Sequence, residues 1–267
     1  MAMKKLGAII VVGVSSSPGL GLSIAKRFAR EGKRVGIIGR SEEKLKLCKL
    51  AIEGHGGEKY DVTYRNVDCG NRTALHEALD SIHSELCSDE CSLQGVIFNA
   101  SPRPFPLQKV AETEYDRLVS DLNTSHLGFL NCSSWGVEKM LGTLSKRSPD
   151  AQTEYTASYE KKGVILVTGA TASLRGSADF GAFCASKAGI RSLAQSLAKE
   201  TLRAGLHVGH VVVDGVVEID LINSDKFERG RLMDPDAIAD AYWYLFSQPL
   251  NCLTFEMDMR PSMSKWT

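Results

Sequence analysis

Residues 180–187 read FGAFCASK. Positions four apart share a helix face, so Phe183 and Lys187 project together if the segment is helical. A tyrosine at 183 would form a phenol–ammonium pair, able to pass a proton to or from a substrate oxygen while the lysine lowers the phenol's pKa. Phenylalanine has no proton to pass. No shifted copy of the pair exists, because none of the seven tyrosines (60, 64, 115, 155, 159, 242 and 244) has a lysine four residues on.

A second constellation lies near the start, in GVSSSPGLGLSIAKRFA, directly after an apolar run. Glycines at 13, 19 and 21 allow a tight turn, close backbone approach to a pyrophosphate and close helix packing, and the helix N-terminus adds partial positive charge. With Ser15, Ser16 and Leu20 they make the phosphate cradle of a dinucleotide site; the plain alternative is an ordinary strand-to-helix turn. The choice of cofactor falls to the end of the next apolar run, where a carboxylate holds a free ribose 2′-hydroxyl and an arginine accepts a 2′-phosphate. Gly39 and Arg40 stand there, which favours NADP(H) over NAD(H). The alternative is an Arg40 that is merely solvated as the chain enters a helix capped by Ser41. Asp68 in RNVDC and Asn99 in IFNAS end further runs, either at a ligand crevice or as turn caps.

The elements that position these residues follow from hydrophobic pattern. Seven apolar runs read as strands: GAIIVVG, KRVGIIG, YDVTYRNV, QGVIFN, GVILVTG, LHVGHVVV and LTFEMDM. Helix-period segments lie between them at about 19–31, 41–54, 71–86, 111–142, 177–205 and 234–247. The strands lack polar alternation, as strands buried on both faces do, so the pattern predicts an α/β fold: a Rossmann-type, doubly wound, seven-stranded parallel sheet in a single domain over residues 1–267. Residues 145–162, SKRSPDAQTEYTASYEKK, are too polar to join the core and read as a polar surface insertion.

Composition narrows the partners. Lysine plus arginine and aspartate plus glutamate number 32 each, so no charge excess argues for nucleic acid. No signal-peptide pattern and no 18-residue apolar run argue for a membrane. Seven scattered cysteines, of which only Cys87 and Cys91 are close, offer no zinc ligand set and fit a reducing cytoplasm. A small-molecule substrate and no metal are expected.

These motifs resemble the short-chain dehydrogenase/reductase family over nearly the whole chain: the Gly13–Gly21 loop, GRSEEKL after the second strand, Asp68, the run Asn99-Ala100-Ser101 and Lys187. By that likeness Asp68 meets the adenine amine, Asn99 stabilises the sheet beside the cofactor, Lys187 holds the nicotinamide ribose and Val217 offers backbone to the nicotinamide amide. The likeness departs at the catalytic positions. Phe183 stands for the family's tyrosine, and Ala170 for its serine thirteen residues earlier, with Thr171 adjacent but expected to face elsewhere if the strand continues. The family's asparagine falls near Ser125, two residues from Asn123. Asp214-Gly215 replaces a Pro-Gly, and the glycine loop has the longer spacing of divergent enoyl reductases. The whole set is similar to a divergent branch in which phenylalanine replaces the tyrosine and the lysine stays.

Three readings follow: an NADP(H)-dependent oxidoreductase lacking the Ser/Tyr pair and acting on an apolar acyl, enoyl or carbonyl substrate; a non-catalytic NADP(H)-binding sensor or regulator; or a purely structural fold. Cys184 reads as a buried thiol, His126 as an interior or interface histidine, and Thr171 and Ser177 as weak acids. Prolines 102, 104 and 106 stiffen a loop that is expected to wall the substrate pocket with Phe105, or to be only a rigid connection. The resemblance also implies a homodimer or homotetramer through the helices at 111–142 and 177–205.

Overall fold

In the computed structural model, the described residues are 6–15, 19–54, 60–142, 158–218 and 230–264. Seven parallel strands form one sheet in the order β3-β2-β1-β4-β5-β6-β9: β1 Leu6–Val12, β2 Arg34–Gly39, β3 Val62–Asn66, β4 Cys91–Phe98, β5 Gly163–Ala170, β6 Leu206–Val213 and β9 Glu256–Met259. A two-stranded ribbon of β7 (Val216–Val217) and β8 (Leu232–Met233) stands apart from it.

The helices are α1 Leu20–Arg30, α2 Glu42–Glu53, α3 Arg72–Leu86, α4 Tyr115–Leu122, α5 Gly128–Leu141, α6 Gly181–Thr201 and α7 Pro235–Ser247. Several starts are written in cap chemistry. The Ser41 and Asn71 side chains accept from the amides three residues on, and Asp234 accepts from Asp236 N with Pro235 at the first helical position.

Each face of the sheet carries its own core. Residues of β4 such as Val96 and Phe98 pack with Leu75 and Ile82 of α3, Phe129 and Trp135 of α5 and Ile190 of α6. On the other face Ile9, Val11 and Ile97 meet Phe28 of α1 and Tyr242 and Leu245 of α7. Phe28 stacks edge-on against both Trp243 and Phe246, and truncating a ring buried this way typically costs about 3–5 kcal/mol. All eight residues of β6 are buried. That explains the missing polar alternation.

Two boundaries differ from the sequence expectation. The helix expected at 111–142 begins at Tyr115 and contains a π-helical turn over Asn123–Leu127. The helix expected from 177 begins at Gly181, because Asp179 takes a positive φ of 64° that no continuing helix permits. Within the polar stretch 145–162, residues 145–157 lie outside the described residues. No helix among the described residues is long and apolar enough to cross a membrane.

Candidate cofactor and active site

The glycine loop is built by close backbone approach. Gly13 leaves β1 with φ of 100°, and a Cβ there would lie 2.2 Å from the Ala100 amide nitrogen at the exit of β4. Only glycine lets these two strand ends meet. The amides of Gly13 and Val14 both donate to Ile38 O at 2.9 Å, tying the loop to β2. A Cβ on Gly21 would sit 2.8 Å from Gly13 O, and one on Gly39 only 1.9 Å from Val14 O. Helix α1 begins after Gly19 with no side-chain cap, which leaves its first amides to an anion.

A cavity of about 190 Å³ opens beside this loop, lined by Gly13, Val14, Ser15, Gly39, Arg40, Val67, Cys69 and Asn99 among others. Its bare backbone is the kind of cradle that a nucleotide needs, so the residues present fit a dinucleotide. Ser15 and Arg40 are exposed at its lip, Gly19 is buried and Leu20 half-buried. Arg40 has no side-chain partner among the described residues. Burial, with help from Asp68, pushes the Cys69 thiol up to about 12 against a smaller downward pull from Arg40, so the Arg40 charge is felt at the cavity wall. A larger depression, about 780 Å³, lies at the opposite edge, between the starts of β4 and β5. Ligands of open parallel sheets bind at the carboxyl ends of strands, which favours the smaller cavity.

A chain of hydrogen bonds runs inward from the loop. Asn99 donates its side-chain amide to Gly13 O at 2.9 Å and accepts from Thr168 Oγ1 at 2.8 Å. Lys187 Nζ donates to Thr168 O at 2.9 Å. Lys187 is 3% exposed, and burial pulls its pKa from the usual 10.5 to about 8. The Phe183 ring lies on the same helix face, its centroid 5.8 Å from Lys187 Nζ. Tyr242 OH stands 2.6 Å from Thr168 Oγ1, but it belongs to the core on the α1 and α7 side, and burial drives its pKa upward. It is a locked interior phenol.

The remaining candidates land as follows. Ala170 is the last residue of β5; the strand does not continue, and Thr171 opens a 3-10 turn over Thr171–Ser173. Thr171 donates its hydroxyl to Asp214, whose other oxygen pairs with Arg260 at 2.7 Å. Thr171 therefore has no proton left for a substrate oxygen. Ser125, near which the family's asparagine falls, is fully buried and donates its hydroxyl to Asp121 O at 2.6 Å, bonding the π-helical turn back to α4. Asn123 beside it is exposed.

His126 packs on α6, with Nε2 3.1 Å from Ser186 O, and Cys184 is a buried free thiol. Asp68 accepts from Gly70 N at 2.9 Å as a turn cap and leaves the cavity wall to Val67 and Cys69. Val217 is half-buried in the β7–β8 ribbon, and Ser16 lies outside the described residues. The proline loop is braced by Arg117, which donates to Pro106 O at 2.7 Å and Gln108 Oε1 at 3.0 Å. Gln108 N in turn donates to Asp179 O, which seats the loop against the approach to α6.

Sequence reasoning missed a buried network beneath the same turn. His210 of β6 lies with Nδ1 2.9 Å from Glu256 Oε2 and Nε2 3.3 Å from Ser173 Oγ, which itself accepts from Ala170 N at 3.1 Å. Arg191 holds Glu256 from above, with Nη2 3.0 Å from Oε1. Gly169 makes room for the imidazole: a Cβ there would be 2.1 Å from His210 Nε2. The available signal was the two histidines, His207 and His210, in an otherwise apolar strand.

Burial pushes the His210 pKa down to about 4, outweighing the Glu256 carboxylate, while Arg191 and Lys187 push the same way as burial. The folded value thus lies below the ordinary 6.5, and between the two the unfolded chain binds the extra proton. Stability is present above about pH 6.5 and is lost as pH falls toward 4, by up to about 3 kcal/mol. Urea denaturation at pH 7 and pH 5 checks this. His210→Asn should lose less stability between those values than the wild type, and equal losses would rule the histidine out as the source.

Comparison with known proteins agrees with this architecture. The family model described as short chain dehydrogenase matches residues 7–226. A fatty acyl-CoA reductase of Acinetobacter baylyi is 24% identical over 88% of this chain and 71% of its own length. Among solved structures, a short-chain dehydrogenase from Rhodopseudomonas palustris is 29% identical, with a TM-score of 0.73 over 96% of this chain and 98% of that one. An actinorhodin polyketide ketoreductase solved with NADPH shares 20% identity and a TM-score of 0.79, with both chains covered in full. Since the matched span takes in β1 through β7, with the glycine loop at one end and Lys187 well inside, the chain belongs to the short-chain dehydrogenase family of oxidoreductases.

Proposed function

We propose that the protein is an NADP(H)-dependent oxidoreductase that works without the family's serine and tyrosine, on an apolar acyl, enoyl or carbonyl substrate. One observation carries the reading: the hydrogen-bond chain from Gly13 O through Asn99 and Thr168 to Lys187 Nζ. It ties the loop that would cradle the pyrophosphate to the amine that would hold the ribose. Gly13, Ser15, Gly19, Leu20 and Gly21 would bind phosphate, and Arg40 the 2′-phosphate. A nicotinamide cofactor supplies the hydride when bound.

Phe183 and Ala170 offer no hydroxyl at the two positions where the family places its donors. Hydride transfer to the β-carbon of an enoyl thioester, with the proton ending on the α-carbon, needs less help at oxygen than reduction of a carbonyl, whose oxygen must itself be protonated. A proton is still at hand, because burial leaves Lys187 titrating at about 8. An acyl-CoA reductase among the relatives and an NADPH complex among the structural neighbours support the substrate and cofactor classes.

The test begins with binding. NADPH should bind more tightly than NADH by about tenfold or more, as charge-assisted bonds to one phosphate allow, and Arg40→Ala should close most of that gap in fluorescence titration. Equal affinity for the two cofactors in the wild type would remove the cofactor assignment. A screen of enoyl thioesters, ketones and aldehydes, read as NADPH consumption, then finds the substrate class. The packing of the Phe183 ring toward Lys187 favours a second reading, an NADP(H) sensor, and tight NADPH binding with no turnover across that screen would select it.

A further inference from the structure

Beside the cavity at the glycine loop lies another of about 550 Å³, which shares Arg40, Ser101 and Thr124 with it. The loop after β4 and the helix α4 form its wall. Three arginines line it. Arg117 is committed, bracing the carbonyls of Pro106, Pro104 and Arg103 and lying 3.9 Å from Asp121. Arg103 and Arg40 are exposed, and neither has a side-chain partner among the described residues. Glu114 is the remaining carboxylate of the lining, so the two free guanidinium groups outnumber it.

The brace matters for Arg103. Its carbonyl is held by Arg117 Nη2 at 3.4 Å, and it stands between Pro102, which is buried, and Pro104. The backbone is fixed while the side chain, without a partner among the described residues, stands exposed at the rim. Two guanidinium-bearing residues lining one cavity suit a dianionic phosphate, which takes fork-shaped donors in pairs.

We propose that this cavity is a phosphate-monoester site in which Arg103 is the second cation beside Arg40. The phosphate belongs either to the cofactor's 2′-position or to the substrate. The proposal rests on the NADP(H) reading only through Arg40.

Calorimetry on wild type, Arg103→Ala and Arg103→Lys separates the possibilities, with 2′,5′-ADP, 3′,5′-ADP and, for reference, 5′-AMP. The 3′,5′-ADP titration is repeated on protein saturated with NADPH. Arg103→Ala should weaken a bisphosphate relative to 5′-AMP by about tenfold, and Arg103→Lys should recover part of the loss by keeping charge without the fork. A loss confined to 2′,5′-ADP assigns the site to the cofactor; a loss for 3′,5′-ADP on the NADPH-saturated protein assigns it to the substrate.

Unchanged ratios for both bisphosphates overturn the proposal. If Arg40→Ala removes a preference for NADPH while Arg103→Ala changes nothing, the cofactor reading stands and this one falls. If the wild type does not distinguish NADPH from NADH, the cofactor reading falls and the 3′,5′-ADP titration decides this one.

Discussion

Phe183→Tyr should raise NADPH-dependent reduction of ketones and aldehydes by on the order of 10²–10⁴-fold, the usual worth of a positioned general acid. The ring already shares a helix face with Lys187, its centroid 5.8 Å from the ammonium, and it is only half-buried, so one added oxygen has room. A buried cation at that distance lowers a phenol's pKa and prepares it to give up a proton. The gain should appear in kcat with NADPH affinity unchanged, since the substitution leaves the glycine loop and Arg40 alone. Adding Ala170→Ser, at the end of β5, should raise the rate further by polarising the same oxygen. A tyrosine variant that binds NADPH normally yet reduces carbonyls no faster would show that the absent hydroxyl is not what limits this site.

Lys187→Met should move activity and stability in opposite directions. Holding an ammonium in a site where its pKa falls from 10.5 to about 8 costs the folded state about 3 kcal/mol at neutral pH. Methionine removes that cost and forfeits the bond to Thr168 O, worth about 1–2 kcal/mol. The balance is a gain of about 1–2 kcal/mol in urea denaturation at pH 7, alongside a loss of about 10²-fold in NADPH-dependent turnover.

The sign with pH follows from the same depression. Between about 8 and 10.5 the unfolded chain holds a proton that the folded chain has released, so wild-type stability from this group rises with pH. The advantage of Lys187→Met should therefore shrink to zero within that window and reverse by its top, where only the forfeited bond to Thr168 O is left. A variant less stable than wild type at both pH 7 and pH 10 would mean that the lysine's burial is not unfavourable.

The inner strands were legible because burial on both faces leaves apolar runs, as in β1, β5 and β6, whereas the edge strands β3 and β9 are only partly buried and carry polar residues. Helix starts were legible where a cap side chain marks them, at Ser41, Asn71 and Asp234. Elsewhere tertiary contact decided. The π-helical turn at Asn123–Leu127 precedes a crowded contact, where a Cβ on Gly128 would stand 3.1 Å from Cys69 Sγ, and no periodicity announces that. The β7–β8 ribbon has two residues per strand, too few to show a pattern.

The site divides in the same way. The glycine loop, Arg40, Asn99 and Lys187 carry local signatures of residue type and spacing. The bonds of Thr171 to Asp214, His210 to Ser173 and His210 to Glu256 join residues 43, 37 and 46 positions apart. Such pairings become visible only when neighbouring strands bring their ends together.

The imidazole of His210 fills the space that a side chain on Gly169 would need. These two positions therefore exchange volume as a unit, and substitution has a direction: position 210 must shrink before 169 can grow. A lineage or a library that enlarges 169 first meets a collision in the core. One that begins at 210 crosses a cavity that the second change can fill.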